Sequence, residues 1–232
     1  MGFYWAVAMM SVILFWIVPK EDFFSAVNQG VECGHHITLL LQGMNTPLIM
    51  AVVTVASPLP YSTMFVDEQE YGFSRIYLPR GNFVSYICGK VIAPAVSGFC
   101  VPLFAILLVW LVLALMYAPH EEVGSLTPYI GQLVRVIVCY GLSGGLWASF
   151  GAVSANISQS KYTAYITPFV AYYVLIMVCD RYLTWLYVLD PREWLNPASM
   201  WPWGNVGTGL WVLLLLLCCG LINYCVIERR IR

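Results

Sequence analysis

Not one charged side chain falls between Val91 and Tyr117, a run that includes "AILLVWLVLAL". As a helix rising 1.5 Å per residue it would reach ~40 Å, beyond the ~30 Å hydrocarbon core of a bilayer. A water-soluble fold has no use for such a run, and it commits the chain to a membrane. Five further stretches follow the same pattern: Met1–Val18, Thr46–Val66, Thr127–Ala152, Tyr165–Cys179 with its continuation to residue 189, and Thr208–Ile227. Charged residues make up 10% of the 232, against about a quarter in ordinary soluble domains. Mean hydropathy is +0.77. The expected fold is therefore an all-α integral membrane protein, a single transmembrane domain over residues 1–232 with six transmembrane helices.

Other classes fall away. The net charge of -1 comes with no basic tract, so nucleic acid is not an expected partner, whereas the lipid bilayer is. Of eight cysteines, Cys88, Cys100, Cys139, Cys179, Cys218, Cys219 and Cys225 lie in or beside spans, and no CxxC spacing occurs. They read as small apolar packing residues. The first span has no basic n-region or small-residue cleavage site, and is expected to be retained.

Lysine and arginine orient the chain. Six spans put both termini on one side, with Arg75, Arg80, Lys90, Lys161, Arg229, Arg230 and Arg232. Lys20, Arg181 and Arg192 fall on the other side, and Arg135 lies within a span. Basic residues favour the cytoplasm, so both termini are expected there.

Punctuation within the spans sets further expectations. Pro58 and Pro60 should break or kink the second span near its inner end. "VECGHHITLLLQG", in the first outer loop, suits a short helix lying along the membrane surface. In the fourth span Gly141, Gly145 and Ser149 share a face, a spacing that lets helices approach closely within the bundle or in a dimer. "SANISQSKYTAYI" reads as the second cytoplasmic loop. Asp180 and Arg181 should end the fifth span near Cys179, since a charge at mid-bilayer costs at least ~2.5 kcal/mol. A partly inserted, re-entrant outer helix then precedes the last span. Pro191, Pro197 and Pro202 punctuate this segment, and Trp185, Trp194, Trp201 and Trp203 suit the headgroup level.

The most unusual stretch is "DEQEYGFSRIYLPRGNFVSYICGK", residues 67–90, an island of charge between apolar runs. Its first half is predicted to form a short helix with Phe73, Ile76 and Tyr77 on one side and Glu70, Ser74 and Arg75 on another. "PRGN" makes a turn, and Asn82 is a candidate N-cap for the third span. An amphipathic helix outside the membrane suits a docking role as well as an ordinary solvated loop.

The acidic run, Gly72-Phe73, "LPRG" (Leu78 to Gly81) and the downstream Lys90 together resemble the loop after the second span in ABC type-2 transporter permeases. "S-x-S-K" (Ser158, Ser160, Lys161), the outer "LNP" (Leu195 to Pro197) and the six-span plan are similar too, so the resemblance covers most of the chain. The chain departs from the family at its start, where Met1 almost enters the first span without a preceding interface helix. The resemblance implies a type-2 exporter bundle in a bacterial cell (plasma) membrane. Residues 67–90 would then be a cytoplasmic coupling segment resting on an ABC ATPase subunit. Glu70, Gly72, Phe73, Arg75, Tyr77, Pro79 and Arg80 would carry that contact. No GxxxxGK[ST] phosphate loop occurs in the chain. It is thus expected not to be an enzyme itself, and to bind no cofactor; ATP and Mg belong to the partner ATPase, and a second permease chain, identical or related, completes the unit. Apolar spans suit an amphipathic exported substrate such as a peptide, drug or lipid-like molecule. The alternative is a membrane-embedded enzyme, or a stand-alone immunity or sensor protein without an ATPase partner.

Other chemistry-bearing residues compete poorly. "ECGHH" (Glu32, Cys33, His35, His36) contains zinc-ligand types, but adjacent histidines do not share a tetrahedral site from a helix, and no metal site is expected. "HEE" (His120 to Glu122) has no histidine pair deep in later spans to make a protease site. Arg135, Asp180 and Arg181 form a candidate intramembrane polar site. For Arg135 snorkelling to the outer interface is the competing reading, and for the other two simple exposure to water.

Overall fold

A computed structural model describes residues 2–18, 34–72, 83–117, 121, 127–182, 185–195, 201 and 204–231. Nine α-helices appear among them: α1 (Gly2–Ile17), α2 (His35–Met44), α3 (Pro47–Ala56), α4 (Met64–Glu70), α5 (Phe83–Tyr117), α6 (Thr127–Ser158), α7 (Lys161–Arg181), α8 (Pro191–Leu195) and α9 (Asn205–Ile231). Four of them, α5, α6, α7 and α9, are long and apolar enough to cross a bilayer, and α2 with α3 could make a fifth, broken crossing. The sixteen residues of α1 amount to about 24 Å, short of the ~30 Å core.

α6 is the centre of the bundle. It packs along α5 on one side and α9 and α7 on others, and the spanning part of α6 is the most buried of the four. Small residues make this possible. A Cβ on Gly98 of α5 would lie 2.6 Å from the Gly144 carbonyl oxygen, and one on Gly144 would lie 2.8 Å from Ser57 Oγ. Pro102 contributes to the same crossing. It has no N–H to give the Gly98 carbonyl one turn back, and that carbonyl faces Gly144 instead. Gly141 lies beneath the Phe99 ring, Gly145 faces Ala95 and Leu216, and Ser149 is buried. The predicted small-residue face thus holds α5 and α9 within one chain.

Several expectations are corrected. The second span, predicted over 46–66 with a break or kink at Pro58 and Pro60, is broken there as expected, and its regular helix is shorter than the predicted bounds. Regular helix stops at Ala56, and the chain descends through tight turns closed by Leu59 N–H to Ala56 O (3.3 Å), Ser62 N–H to Pro58 O (3.3 Å) and Met64 N–H to Tyr61 O (3.2 Å). Pro58 and Pro60, lacking N–H groups, make the break. Irregular backbone at membrane depth must be covered by protein. Here α6 covers it: Ser62 donates to the Ala148 carbonyl (2.9 Å), and Gly151 faces Pro58. The helix predicted along the outer surface is α2, which meets α3 at 72° and buries Ile37, Leu39, Leu40 and Met44 against α1, α5 and α6. It is a packed element because Ile37, Leu40 and Met44, three and four residues apart, put an apolar face into the bundle.

The helix predicted from Asp67 through Leu78 ends at Glu70. Gly72 has φ +71, a left-handed conformation that glycine adopts without strain and that stops the helix. Asn82 lies outside the described residues. The loop predicted at "SANISQSKYTAYI" is almost all helix, with Gln159 and Ser160 alone reversing the chain between α6 and α7. The fifth span continues to Arg181. Beyond it, the described part of the region predicted as a re-entrant helix holds a 3-10 turn, Tyr187–Leu189, and the five-residue α8 with Trp194 and Leu195 buried. Pro197, Pro202 and Trp203 lie outside the described residues.

Candidate functional site

The charge island folds back onto its own bundle. The seven residues of α4 read "MFVDEQE", and each of the four polar ones is paired. Glu68 takes the ammonium of Lys90 on α5 and a hydrogen bond from Tyr86 Oη (2.7 Å). Asp67 and Glu70 both hold Lys161, the first residue of α7, at 2.6 and 2.5 Å. Asp67 also accepts from Thr63 Oγ1 (2.9 Å), and Gln69 accepts from Gln159 Nε2 (2.6 Å). Apolar residues complete the clamp. Phe65 is buried with Ile87 of α5 and Ile227 of α9, while Val66 is buried with Ala155 of α6 and Ala164 of α7. One short helix therefore touches four spans.

The pairs differ in environment. Lys90 and Glu68 are only 7% and 22% exposed, so their attraction acts away from water, and Tyr86 satisfies a second carboxylate oxygen. Lys161, Asp67 and Glu70 are 36%, 38% and 62% exposed, a solvent-screened triad with the Lys161 ammonium 5.8 Å from the Tyr71 ring centre. A 400 Å³ cavity beside α4 is lined by Pro60, Tyr61, Met64, Asp67, Glu68 and Tyr71. Of its lining residues, Tyr61 and Tyr71 expose large apolar surfaces.

Of the residues singled out for coupling, Glu70 lies at the end of α4 and Gly72 closes it; Phe73, Arg75, Tyr77, Pro79 and Arg80 lie outside the described residues. The groups that fasten α4 (Asp67, Glu68, Gln69, Tyr86, Lys90, Gln159 and Lys161) were not named as site residues. Acidic residues on a short helix, with a lysine at the start of each of two apolar runs, were the available signal. The partners of each were not readable.

At the opposite end of the bundle lies a second polar assembly. Glu121, between α5 and α6, accepts from the backbone N–H of Gly34 (3.0 Å) and His36 (2.9 Å) and from His36 Nδ1 (2.6 Å). Both side chains are almost fully buried, and the His36 ring lies near Trp110. Burial alone would raise the Glu121 pKa. The hydrogen bonds from the His36 backbone, the His36 ring and Gly34 outweigh it and hold the carboxyl below its ordinary value. The carboxylate thus caps α2 from a distant part of the chain. His120, Glu122, Glu32 and Cys33 lie outside the described residues.

Arg135, Asp180 and Arg181 are not gathered into one site. Asp180 is taken by Arg192, which also holds Asp190 through Nε (3.1 Å) and Nη2 (2.9 Å). Those hydrogen bonds, to Asp190 first and then to Asp180, push the Arg192 pKa up against the opposing effect of burial. Arg181 is exposed, and half-buried Arg135 makes no ion pair with described residues.

Helices this long and apolar, packed around a buried glycine-rich centre, define an all-helical, multi-pass membrane protein. No protein-family model, curated protein or solved structure matches the chain.

Proposed function

We propose that this chain is the permease subunit of an ATP-driven ABC transporter, exporting an amphipathic substrate (a peptide, drug or lipid-like molecule) by alternating access. The resemblance of residues 67–90 to the family's coupling loop suggests the class. The observation that carries the reading is the fastening of α4. A partner pressing on α4 would push α5 through Glu68–Lys90 and α7 through Lys161, with α6 and α9 following through Val66 and Phe65. Rigid-body motion needs such a joint, because packed elements move between discrete arrangements rather than bending continuously.

In this reading the α4 end faces the cytoplasm of a bacterial cell, where the separate ATPase holds ATP and Mg. Two permeases and two ATPases form the working unit. Glu70, already sharing Lys161, stands at the exposed edge of the clamp, where an incoming basic group would compete for it. Closure of the ATPases would supply the differential contact that shifts the bundle between its two states.

The test is purification from native membranes. A nucleotide-binding subunit should accompany the chain, and reconstituted complex should hydrolyse ATP faster with substrate present. Lys90→Met should weaken that stimulation while the complex still assembles. A chain that purifies alone and retains full activity without an ATPase overturns the reading.

A further inference from the structure

The inner surfaces of α5 and α9 do not close on each other along their whole length. Between them lies a 430 Å³ cavity walled by Val91 and Ala95 of α5, Leu216, Gly220 and Tyr224 of α9, and Ser149 of α6 at the back. Small side chains create it: Ala95 and Gly220 leave room that leucines would fill. Ile92 and Leu221, at its rim, are 57% and 67% exposed, so the groove opens sideways onto an apolar surface. Toward α4 it is closed by the cluster of Ile87, Ile227 and Tyr224.

Three properties fix what fits. First, the walls are hydrocarbon apart from Ser149, Cys88 and Tyr224, so a polar occupant would leave its own groups unpaired at a cost of kilocalories. Second, Leu216 to Tyr224 is about 12 Å of helix, within the ~15 Å of a single leaflet's hydrocarbon. Third, both walls are membrane spans, so acyl chains are the material in contact with the opening. A chain lying in the groove is touched on three sides, gaining dispersion contacts that one lying on a convex helix lacks.

We infer that this groove holds one acyl chain of a bilayer glycerophospholipid, from the leaflet on the α4 side. The site is separate from the α4 clamp and does not depend on the transport reading.

The probe is phosphatidylcholine bearing a diazirine midway along one acyl chain, present in trace amounts in phosphatidylcholine vesicles that contain the intact protein. After irradiation, adducts should concentrate on peptides spanning residues 88–96 and 216–224, well above those on α1, whose Trp5 and Trp16 are 74% and 81% exposed. Gly220→Leu should remove most of that labelling. A Cβ there meets Val91 Cγ1 at 3.5 Å, an ordinary contact, so the added side chain enters the groove without forcing the backbone. Should Gly220→Leu not fold, Leu217→Trp at the rim makes the same test. Even labelling of all exposed spans, or labelling unchanged in a folded filling variant, overturns the inference. So does a diazirine fatty acid that labels the groove where the phospholipid does not, or a cross-link through the groove to a second copy.

Discussion

The two ends of the bundle use polar groups differently. At the α4 end, ion pairs and hydrogen bonds join separate spans: Glu68 to Lys90 on α5, Asp67 and Glu70 to Lys161 on α7, and Arg230 of α9 to the Ile157 carbonyl of α6 at 2.7 Å. At the other end they fasten connecting segments to neighbouring helix ends: Glu121 caps α2, and Arg192 ties α8 to the end of α7. The first arrangement makes spans respond together to a force on one small helix. The second holds loops in place against a bundle whose helices are already packed. Mutations should separate these roles, provided the shared centre is left intact.

That centre gives the largest expected effect. Gly144→Leu would drive a side chain into the Gly98 backbone and Pro102, neither of which has a flexible end to move aside. Overpacking of this kind costs roughly 3 kcal/mol or more. The expected result is loss of monodisperse protein on size exclusion in detergent. Recovery of folded Gly144→Leu with both ends unchanged would show that the ends do not depend on the crossing.

Next is Lys90→Met. It leaves Glu68 and Tyr86 facing a partly buried space with no cation, a loss of about 3 kcal/mol when one member of a buried pair is removed. The midpoint of thermal unfolding in detergent should fall. Adding Glu68→Gln should restore part of the loss, because the stranded charge is then gone as well. If the double variant is no better than the single one, α4 is held by Phe65 and Val66, and the contrast between the two ends weakens.

How far these features could be read beforehand follows from their range. α5, α6, α7 and α9 were legible because each is a long run whose composition alone excludes water. The break between α2 and α3 was legible in "NTP", with Asn45 ending one helix and Pro47 opening the next, and the second span was expected to begin at Thr46; that α2 packs into the bundle was not legible. Gly72 could have marked the end of α4. The pairings were beyond reach. Glu68 and Lys90 are 22 positions apart, and Glu121 and His36 are 85 apart, so only the packing of α5 against α1 and α2 brings the latter together. Asp180 illustrates the reverse: its neighbour Arg181 was an obvious mate by sequence, yet a helix points adjacent residues apart, and Arg192 returns to it through a turn.

Glu121→Gln tests the opposite end at smaller cost, roughly 2 kcal/mol for hydrogen bonds to a charged acceptor. Its pH dependence has a definite sign. The carboxyl titrates lower in the folded protein than in the unfolded chain, so its contribution is fully present above the ordinary carboxylate value. It is lost as pH falls through the depressed folded value. The wild type should therefore lose stability more steeply than Glu121→Gln across that acidic window, and the two curves should run parallel from there to neutral pH. Parallel curves throughout would mean that Glu121 is not charged against His36.

The smallest effect on stability should come from Lys161→Ala, and it is the sharpest probe of the comparison. The Lys161 ammonium is shared by Asp67 and Glu70 in a setting where water and salt screen all three. Its removal should leave the unfolding midpoint within error of the wild type. Yet it is the direct ionic tie between α4 and α7, reinforced there by the packing of Val66 on Ala164. If the α4 end transmits force, spin labels on exposed Tyr71 and Tyr162 should broaden in distance distribution in Lys161→Ala, while a pair at the Glu121 end keeps its wild-type distribution. High salt should broaden the wild-type α4 pair in the same way, since screening removes what the alanine removes. An α4 pair that stays narrow under both treatments assigns the α4–α7 connection to apolar packing, and the force path then runs through Lys90 and α5.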